Sequence, residues 1–270
     1  MKIKSMKISV CMATYNGEKY IKEQLDSIIP QLTDQDEIII SDDGSTDKTC
    51  DIIESYSDPR IKLVKNLEKS ASKIRRYKTY VVTRNFENSL QFATGDYIFL
   101  ADQDDIWEDT KVSHLCSLLS DDLDLIVHDA RVVDENGDII SSSYFQILHS
   151  QKGFVKNIAK NSYLGCCMVF NKKTLCAALP FPKALVAHDM WIGLIGEKIG
   201  KVLFLDKKLI QYRRHSSTAT TSGKKSHQKL IFRMQYRFEL IIQYIERVIL
   251  LKFGKDVHSN QINNERINLQ

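Results

Sequence analysis

The stretch "YIFLADQDDIW", residues 97–107, decides how this chain is interpreted, because it joins a buried strand to a cluster of acids. Apolar and aromatic residues lead directly into Asp102, Asp104 and Asp105, and a tryptophan closes the segment. At about 4 Å and an effective dielectric constant of about 20, each close pair of like charges costs about 4 kcal/mol. We therefore expect positive charge beside these carboxylates.

The strand at 97–101 belongs to a series in which apolar strands alternate with amphipathic helices. The pattern predicts strands at 8–13, 37–40, 61–64, 97–101 and 123–128, separated by helices at 20–29, 48–56, 85–93 and 110–119. Such a series indicates an α/β fold with a mostly parallel sheet covered on both faces. After residue 131 the alternation ends, and the pattern predicts a hairpin at Asn136-Gly137, a strand at 163–170, a helix at 188–200 and two short strands.

Length, charge and cysteine content limit the classes of protein that fit. The chain has 270 residues and a net charge of +4, which is too mild for a nucleic-acid-binding protein. It has no apolar run long enough for a membrane-spanning helix, and its N-terminus is typical of a first strand rather than a signal peptide. The six cysteines show no metal-binding spacing, so we expect a reduced, cytoplasmic protein.

Polar side chains follow the predicted strands at one edge of the sheet. In open sheets of this kind, ligands bind beyond the carboxyl ends of the strands. The residues there are Thr14, Tyr15 and Asn16 after the first strand, Asp42 and Asp43 after the second, Asp102 and Asp104 after the fourth, and His128 and Asp129 after the fifth. We therefore expect these residues to converge on one site.

The spacing of Asp102 and Asp104 favours a divalent metal site over helix capping. A D-x-D pair on the turn after a strand can face one ion, and Mg²⁺ or Mn²⁺ prefers hard oxygen ligands and phosphate. Such an ion would remove the repulsion and assist a diphosphate leaving group. Asp42 and Asp43 end another buried strand, where a carboxylate could bind a pyrimidine base or ribose hydroxyls.

Two later segments are each open to two interpretations. In "HDMW", residues 188–191, Asp189 begins a helix whose dipole keeps it ionised, so it could act as a base or could simply cap the helix. In "YRRH", residues 212–215, Arg213 suits phosphate and His215 suits a metal or a phosphate oxygen. The same residues could equally form a solvated basic loop.

Taken in order, these motifs resemble the family-2 inverting glycosyltransferases with the GT-A fold, and more narrowly the bacterial rhamnosyltransferase-like enzymes of surface-polysaccharide synthesis. The matching stretches are "SVCMATYNGEKYIKEQLDSI", "IIISDDGSTDKT", "TRNFENSLQFATGDYIFLADQDDIW", "GCCMVFN", "HDMW" and "YRRH", which span about residues 7–217. The resemblance implies a Rossmann-like GT-A domain over 1–222, with a nucleotide-binding half at 1–130 and an acceptor half at 131–222. A helical tail would follow at 223–270.

The resemblance also implies roles for the matching residues. Asp189 would be the base that deprotonates the acceptor hydroxyl, and Asp102, Asp104 and His215 would hold Mn²⁺ or Mg²⁺. The nucleotide-sugar contacts would be Thr14, Tyr15, Glu18, Asp42, Asp43, Arg84, Asn85, Asp102, Gly165, Cys166, Trp191 and Arg213. Arg84 stands where lysine is common in the family, and the segment before it, "LEKSASKIRRYKTYVVT", is longer and more basic than the family pattern.

The implied reaction is transfer with inversion from a nucleoside-diphosphate sugar, dTDP-rhamnose or a UDP-sugar, to a hydroxyl of a growing, lipid-linked bacterial capsule, O-antigen or cell-wall glycan. The alternatives are a non-catalytic nucleotide-sugar-binding subunit and a transferase acting on a protein-linked glycan. Asp104, Asp189 and His215 argue against the non-catalytic alternative, because a binding protein needs no base. The sequence leaves the donor, the linkage and the oligomeric state open.

The tail contains a basic amphipathic helix at 224–255. Packing of its apolar face against the catalytic domain or a dimer partner is the favoured interpretation. Peripheral contact with an anionic membrane surface is the alternative, and it would place the protein at the inner face of the membrane.

Overall fold

The computed structural model describes residues 6–66, 78–184, 186–215 and 230–253. The predicted mobile basic loop at 69–78 lies outside these ranges except for its last residue, as do the two ends of the predicted tail. Within the described ranges one sheet is formed by β1 (Ile8–Thr14), β2 (Glu37–Asp42), β3 (Ile61–Lys65), β4 (Tyr97–Asp102), β5 (Ile106–Trp107), β6 (Leu125–Val133), β7 (Ile139–Ser141), β8 (Met168–Asn171) and β9 (Val202–Arg213).

The strand order in this sheet is β3-β2-β1-β4-β8-β6-β9-β5, with β7 paired to β6. Parallel pairing joins β1 to β2 and β4, β2 to β3, and β6 to β9. Since β8 lies antiparallel between β4 and β6, those two strands point the same way. The predicted mostly parallel sheet is therefore confirmed, and the carboxyl ends of its longest strands meet at one edge.

The helices that cover the sheet are α1 (Ile21–Ile28), α2 (Thr49–Ser55), α3 (Lys78–Gln91), α4 (Lys111–Cys116), α5 (Tyr144–Leu148), α6 (Phe154–Ala159), α7 (Lys172–Ala178), α8 (His188–Ile199) and α9 (Leu230–Lys252). They form because their apolar residues recur at helical spacing. In α1, for example, Ile21, Leu25 and Ile28 are fully buried, and the helix gives way to a short 3₁₀ turn that contains Pro30.

Two predictions about the second half of the sheet are wrong. The strand predicted at 123–128 continues to Val133, so His128 and Asp129 lie in mid-strand and are fully buried rather than beyond the strand end. The two short strands predicted after α8 are one strand, β9. Its exposed residues 206–207 form a bulge where the register with β6 shifts. Beyond the bulge, pairing with β6 resumes at Lys208.

The strand predicted at 163–170 is shorter than expected. A 3₁₀ turn covers Gly165–Cys167, and β8 begins only at Met168. This turn brings residues 165–167 beside the end of β4 instead of continuing the sheet.

Helix α9 packs against the domain through one face. Leu240 on that face is fully buried, and the ring of Tyr244 lies 4.6 Å from the ring of Phe154. Arg247 donates to the carbonyls of Ala177 and Leu179 at 2.9 and 2.7 Å. Among the described residues, no helix is both long and apolar enough to cross a membrane.

A glycine on α8 provides a test of how tightly this half is packed. A Cβ added at Gly193 would lie 2.5 Å from the ring of Tyr163, which is fully buried. We expect Gly193→Ala to lower the free energy of unfolding by about 1–3 kcal/mol, because overpacking outweighs the gain in helix propensity of about 1 kcal/mol. Urea denaturation measures this difference.

The matched control is Gly196→Ala, one turn further along α8. The nearest atom to its Cβ would be the terminal methyl of Leu125 at 3.0 Å, which can move. Equal losses in the two variants would contradict the packing argument.

Candidate functional site

The loops after β1 and β2 are tied to each other by reciprocal hydrogen bonds. Asn16, with a left-handed φ of 47°, accepts from the backbone N–H of Thr46 at 2.8 Å. Glu18 accepts from the backbone N–H of Lys48 at 3.1 Å, and Asp47 accepts from the N–H of Glu18 at 3.1 Å. Each loop therefore fixes the other, and together they form one rim of the site.

Tyr15 presents an exposed ring at this rim. Its N–H donates to Gln103 Oε1 at 2.8 Å, and its carbonyl accepts from Gln103 Nε2 at 3.2 Å. A Cβ at Gly17 would lie 2.6 Å from the same Oε1, so a side chain there would displace this clamp. The first loop is thus fastened to the D-Q-D turn, while the ring of Tyr15, 55% exposed, faces solvent.

Asp42 shapes the second loop. Its Oδ2 accepts from the backbone N–H groups of Gly44 and Ser45 at 2.9 and 2.8 Å, and its Oδ1 accepts from the hydroxyl of Thr14 at 3.1 Å. This is an Asx turn, and it holds the chain in the form that the left-handed glycine, with a φ of 84°, requires. The predicted contacts of Asp42 and of Asp43, which accepts from Asn66 at 3.0 Å, with a nucleotide stay predictions.

Arg84 and Asn85 on α3 are buried and have protein partners. Asn85 donates to the carbonyl of Thr14 at 3.0 Å and accepts from Ser41 at 2.6 Å, so it holds the ends of β1 and β2 together. Arg84 forms an ion pair with Glu87 and donates to the carbonyl of Pro182. The structure therefore gives both residues a scaffold role, and their predicted contacts with a nucleotide stay predictions.

The acids of the opening stretch gather at the end of β4 with the 3₁₀ turn. Ligand atoms of Asp102, Asp105 and Cys166 all lie within 4.8 Å of one another. Burial raises the pKa of Asp102 well above its usual range, and the charges of Asp105, Asp104 and Asp189 raise it further. Burial, with a contribution from Asp104, raises the pKa of Asp105 to about 7.

The strand β9 delivers basic groups to this cluster. The backbone N–H of Arg213 donates to Asp105 Oδ1 at 3.0 Å, and the guanidinium donates to the carbonyl of Asp104 at 3.0 Å. His215 Nε2 lies 2.7 Å from Asp104 Oδ2. Asp105 Oδ2 is buried and has no hydrogen-bond partner among the described residues. The cluster thus retains acceptor capacity that a bound cation would use.

The guanidinium of Arg213 has further partners inside the protein. It forms an ion pair with Glu23 at 2.5 Å, donates to the carbonyl of Glu135 at 3.3 Å and stacks 4.8 Å from the ring of Tyr20. It links α1 to the hairpin that follows β6. A contact of Arg213 with a diphosphate, as predicted from the resemblance, would have to share these donors.

Lys111 is a member of the site that the sequence reasoning missed. It is 1% exposed, its Nζ donates to the carbonyl of Cys166 at 2.9 Å, and it lies 3.9 Å from the ring centroid of Trp107. Burial lowers its pKa to about 8, an effect that the charges of Cys167, Cys166, Asp105 and Asp102 oppose. A signal was present: Lys111 lies four residues before Leu115, on the apolar side of α4.

Asp189 is half-buried at the start of α8. Its Oδ1 accepts from the backbone N–H of Met190 at 2.6 Å, and its Oδ2 accepts weakly from Asn161 at 3.4 Å. Burial raises the pKa of Asp189 to about 6. The charge of Asp189 also raises the pKa of Asp102, so the candidate base lies close enough to the acid cluster to interact with it electrostatically.

His188 and Trp191, which lie beside Asp189 on α8, are both buried and pack inside the protein. His188 stacks on Phe86 at 4.1 Å, and a Cβ at Gly165 would lie 2.7 Å from its Nε2, so glycine permits this approach. Trp191 is 1% exposed and donates to the carbonyl of Ala178 at 2.9 Å. Trp191 therefore lies in the core, and its predicted contact with a sugar stays a prediction.

The profile of Glycosyl transferase family 2 matches residues 9–176, and the chain belongs to this family. The family predicted from the motifs is thereby confirmed.

Two curated relatives are glycosyltransferases. WfgD of Escherichia coli, a UDP-Glc:alpha-D-GlcNAc-diphosphoundecaprenol beta-1,3-glucosyltransferase, is 27% identical over 177 residues, which are 65% of this chain and 64% of the relative. The chain thus spans just under two thirds of that protein. RfbG of Shigella flexneri, a dTDP-rhamnosyl transferase, is 28% identical over 243 residues, covering 81% of this chain and 78% of the relative.

Solved structures share the fold. TarS 1-349 from S. aureus in complex with UDP-GlcNAc superposes with a TM-score of 0.62 at 20% identity, covering 98% of this chain and 76% of that one. Glucosyl-3-phosphoglycerate synthase from Mycobacterium tuberculosis, in complex with Mn²⁺, UDP and phosphoglyceric acid, gives 0.53 at 17% identity, covering 90% and 79%. The predicted GT-A fold is confirmed.

The raised pKa values make the stability of the metal-free protein depend on pH. A carboxyl whose folded pKa exceeds its unfolded value contributes stability that is present at low pH and lost as pH rises through the folded pKa. We expect these carboxyls to contribute a fall in the free energy of unfolding, measured in EDTA, between about pH 4 and pH 8, which the buried imidazoles of His128 and His188 oppose because burial lowers their pKa values. Asp105→Asn should reduce that fall by an amount on the order of 2 kcal/mol.

The control for this measurement is Asp109→Asn, which changes an exposed acid of the same segment. It should leave the pH profile of the wild type unchanged. An equal effect of the two substitutions would mean that Asp105 is not the buried titrating group.

Proposed function

We propose that this chain is a metal-dependent, inverting glycosyltransferase that moves a sugar from a nucleoside-diphosphate sugar to a hydroxyl of a lipid-linked surface glycan. The observation that carries the proposal is the pairing of Asp189 with the acid cluster. A carboxylate with a pKa of about 6 stands beside acids suited to a cation, with the rim of the β1 and β2 loops nearby. A base and a leaving-group site are thus brought together.

A divalent cation fits the residues present. The buried Asp105 Oδ2 lacks a partner among the described residues, and the acids repel one another without positive charge between them. Asp102, Asp104 and His215 would hold Mn²⁺ or Mg²⁺, because carboxylate oxygens suit these ions, whereas the thiol of Cys166 suits softer metals. When bound, the ion supplies positive charge for the departing diphosphate.

The chemical roles of the protein residues follow from this arrangement. Asp189 accepts the proton of the acceptor hydroxyl as the hydroxyl oxygen bonds to the anomeric carbon. The bond from that carbon to the diphosphate oxygen breaks, and the electron pair leaves with the nucleoside diphosphate. One displacement from the opposite face inverts the anomeric centre. We propose that the ring of Tyr15, which is exposed, stacks on the base of the nucleotide.

The substrate assignment is part of the proposal. RfbG supports dTDP-rhamnose, and WfgD supports UDP-glucose together with an acceptor on diphosphoundecaprenol. The six cysteines, which are all free thiols, support a reducing cytoplasmic location. We propose that a UDP- or dTDP-sugar is the donor and that the acceptor is lipid-linked.

Calorimetry tests the donor site. UDP, dTDP, GDP and CDP are titrated into the protein with Mn²⁺ and then with EDTA. We expect one nucleotide to bind in Mn²⁺ and to bind at least about tenfold more weakly in EDTA, because repulsion between its phosphates and the acids returns. Asp104→Ala should lose the metal-dependent part, whereas Asp109→Ala, an exposed neighbour, should keep it.

A folded protein that binds none of these nucleotides would contradict the proposal. So would binding that is equally tight in Mn²⁺ and in EDTA, since the acid cluster would then have no role in holding a diphosphate.

Asp189→Asn separates turnover from binding. We expect donor hydrolysis or transfer to fall by about 10²–10⁴-fold, as loss of a general base does, with nucleotide affinity unchanged. In the wild type, kcat should decline below about pH 6 as Asp189 becomes protonated. The same variant should be more stable than wild type at pH 7 by about 2 kcal/mol, because it removes a half-buried charge.

The control is Asp122→Asn, an exposed acid, which should change neither rate nor stability. Full activity of Asp189→Asn would contradict the assignment of the base. Absence of activity in the wild type with intact nucleotide binding would favour a non-catalytic binding protein.

A further inference from the structure

Helix α9 is apolar on two opposite faces. The inner face, with Leu240 fully buried, packs on the domain. The outer face carries large apolar side chains in solvent, and Phe253 directly after the helix continues them: Met234, Phe238, Ile242, Ile245, Ile249 and Phe253 are 62, 66, 37, 51, 50 and 71% exposed. Their spacing of three or four residues places them on one side of the helix, and we call them the outer stripe.

The outer stripe is too long and too apolar for an ordinary solvated surface. From Met234 to Phe253 it runs about 29 Å at 1.5 Å per residue. Contiguous exposed apolar patches of this kind mark interaction sites on soluble proteins. Packing on the domain therefore accounts for only half of the apolar surface of α9, and the outer half requires an occupant.

The basic residues that flank the stripe in the sequence favour one occupant. In the sequence, Lys224, Lys225, Lys229 and Arg233 precede the stripe, and Lys252 and Lys255 lie on either side of its last residue, Phe253. Glu239 and Glu246 lie along the middle. If two copies paired through their stripes, parallel or antiparallel, the basic sequences that flank the stripes would be brought together and would repel each other. An anionic lipid surface attracts both flanking sequences, and the apolar side chains enter the acyl boundary.

The inner face connects the stripe to the candidate base. The hydroxyl of Tyr236 accepts from the backbone N–H of Ala187 at 3.4 Å and donates to the sulfur of Met190 at 3.8 Å. These two residues flank Asp189, Met190 by one position on one side and Ala187 by two on the other. A surface that holds α9 therefore lies one helix thickness from the residue that would meet the acceptor.

We propose that the outer stripe of α9 is a membrane-docking surface that binds anionic lipid and presents Asp189 to an acceptor carried in that membrane. The inference of a docking surface depends only on the exposed stripe and on the basic residues that flank it in the sequence. Only the purpose of docking rests on the proposed function, through the lipid-linked acceptor.

Vesicle co-sedimentation tests the proposal with the full chain. The stripe variant is Phe238→Ser with Ile245→Ser and Ile249→Ser. The matched control is Ile139→Ser with Ile140→Ser and Val155→Ser, three apolar residues that are 65, 59 and 78% exposed elsewhere. With vesicles of phosphatidylcholine and phosphatidylglycerol, we expect wild type and control to bind and the stripe variant to bind at least about tenfold more weakly.

A second measurement does not depend on the folding of the triple variant. Phe238→Trp places a reporter on the stripe, and the native Trp107 and Trp191 are both 1% exposed and give a constant background. We expect the fluorescence of this variant to shift to the blue on adding the same vesicles and to be quenched by brominated lipid. The control variant Val155→Trp, which places the same reporter on α6 away from the stripe, should not respond.

The outcomes are separable. No binding by the wild type, or equal binding by the stripe and control variants, overturns the proposal. So does a dimer in sedimentation velocity that the stripe variant abolishes while vesicles leave Phe238→Trp unchanged, because the stripe would then bind a second copy. Nucleotide calorimetry on the same variants reports on the proposed function independently, and it should match wild type throughout.

Discussion

Repulsion between buried carboxylates at the end of β4 is the constraint on which the rest of the site depends. Asp105 is fully buried, and Asp102 and Asp104 stand within reach of it, so the protein must hold together charges that water would otherwise separate. It does so with groups from distant parts of the chain: the N–H of Arg213 from β9 and the ammonium of Lys111 from α4. The positive charge that these groups do not supply is the physical basis of the proposed cation site.

The first half of the protein is predictable from the sequence, because apolar strands alternate there with amphipathic helices. Buried parallel strands read as continuous apolar runs, and the rule that ligands bind at the carboxyl edge then places Asp42 and Asp102 without any knowledge of packing. The second half is less predictable. There an antiparallel strand, β8, enters between β4 and β6, and a bulge hides the continuity of β9. The local sequence pattern indicates neither the position of β8 in the sheet nor the bulge in β9.

Hydrogen-bond partners mark the second limit of prediction. The position of Lys111 on the apolar side of α4 indicates that its stem is buried, but only the tertiary fold shows that its Nζ donates to the carbonyl of Cys166. For Arg84 and Trp191 the family resemblance implied a contact with the nucleotide sugar, and the structure shows protein partners for Arg84 and a core position for Trp191. Residue type indicates which contacts a side chain can make, and the tertiary fold determines which of those contacts it does make.

The contacts of the C-terminal helix α9 inside the fold limit how its outer surface can bind a partner. Two of its arginines bind the domain, where Arg237 and Arg247 donate to the free carbonyls that end α6 and α7. A basic helix that uses these charges internally cannot bind a surface by charge alone, so the outer apolar stripe must carry most of any such interaction. The contacts of Tyr236 with Ala187 and Met190 also hold α9 beside the start of α8, so a surface bound to the stripe is connected to the residues around Asp189 through packed side chains rather than through a flexible linker.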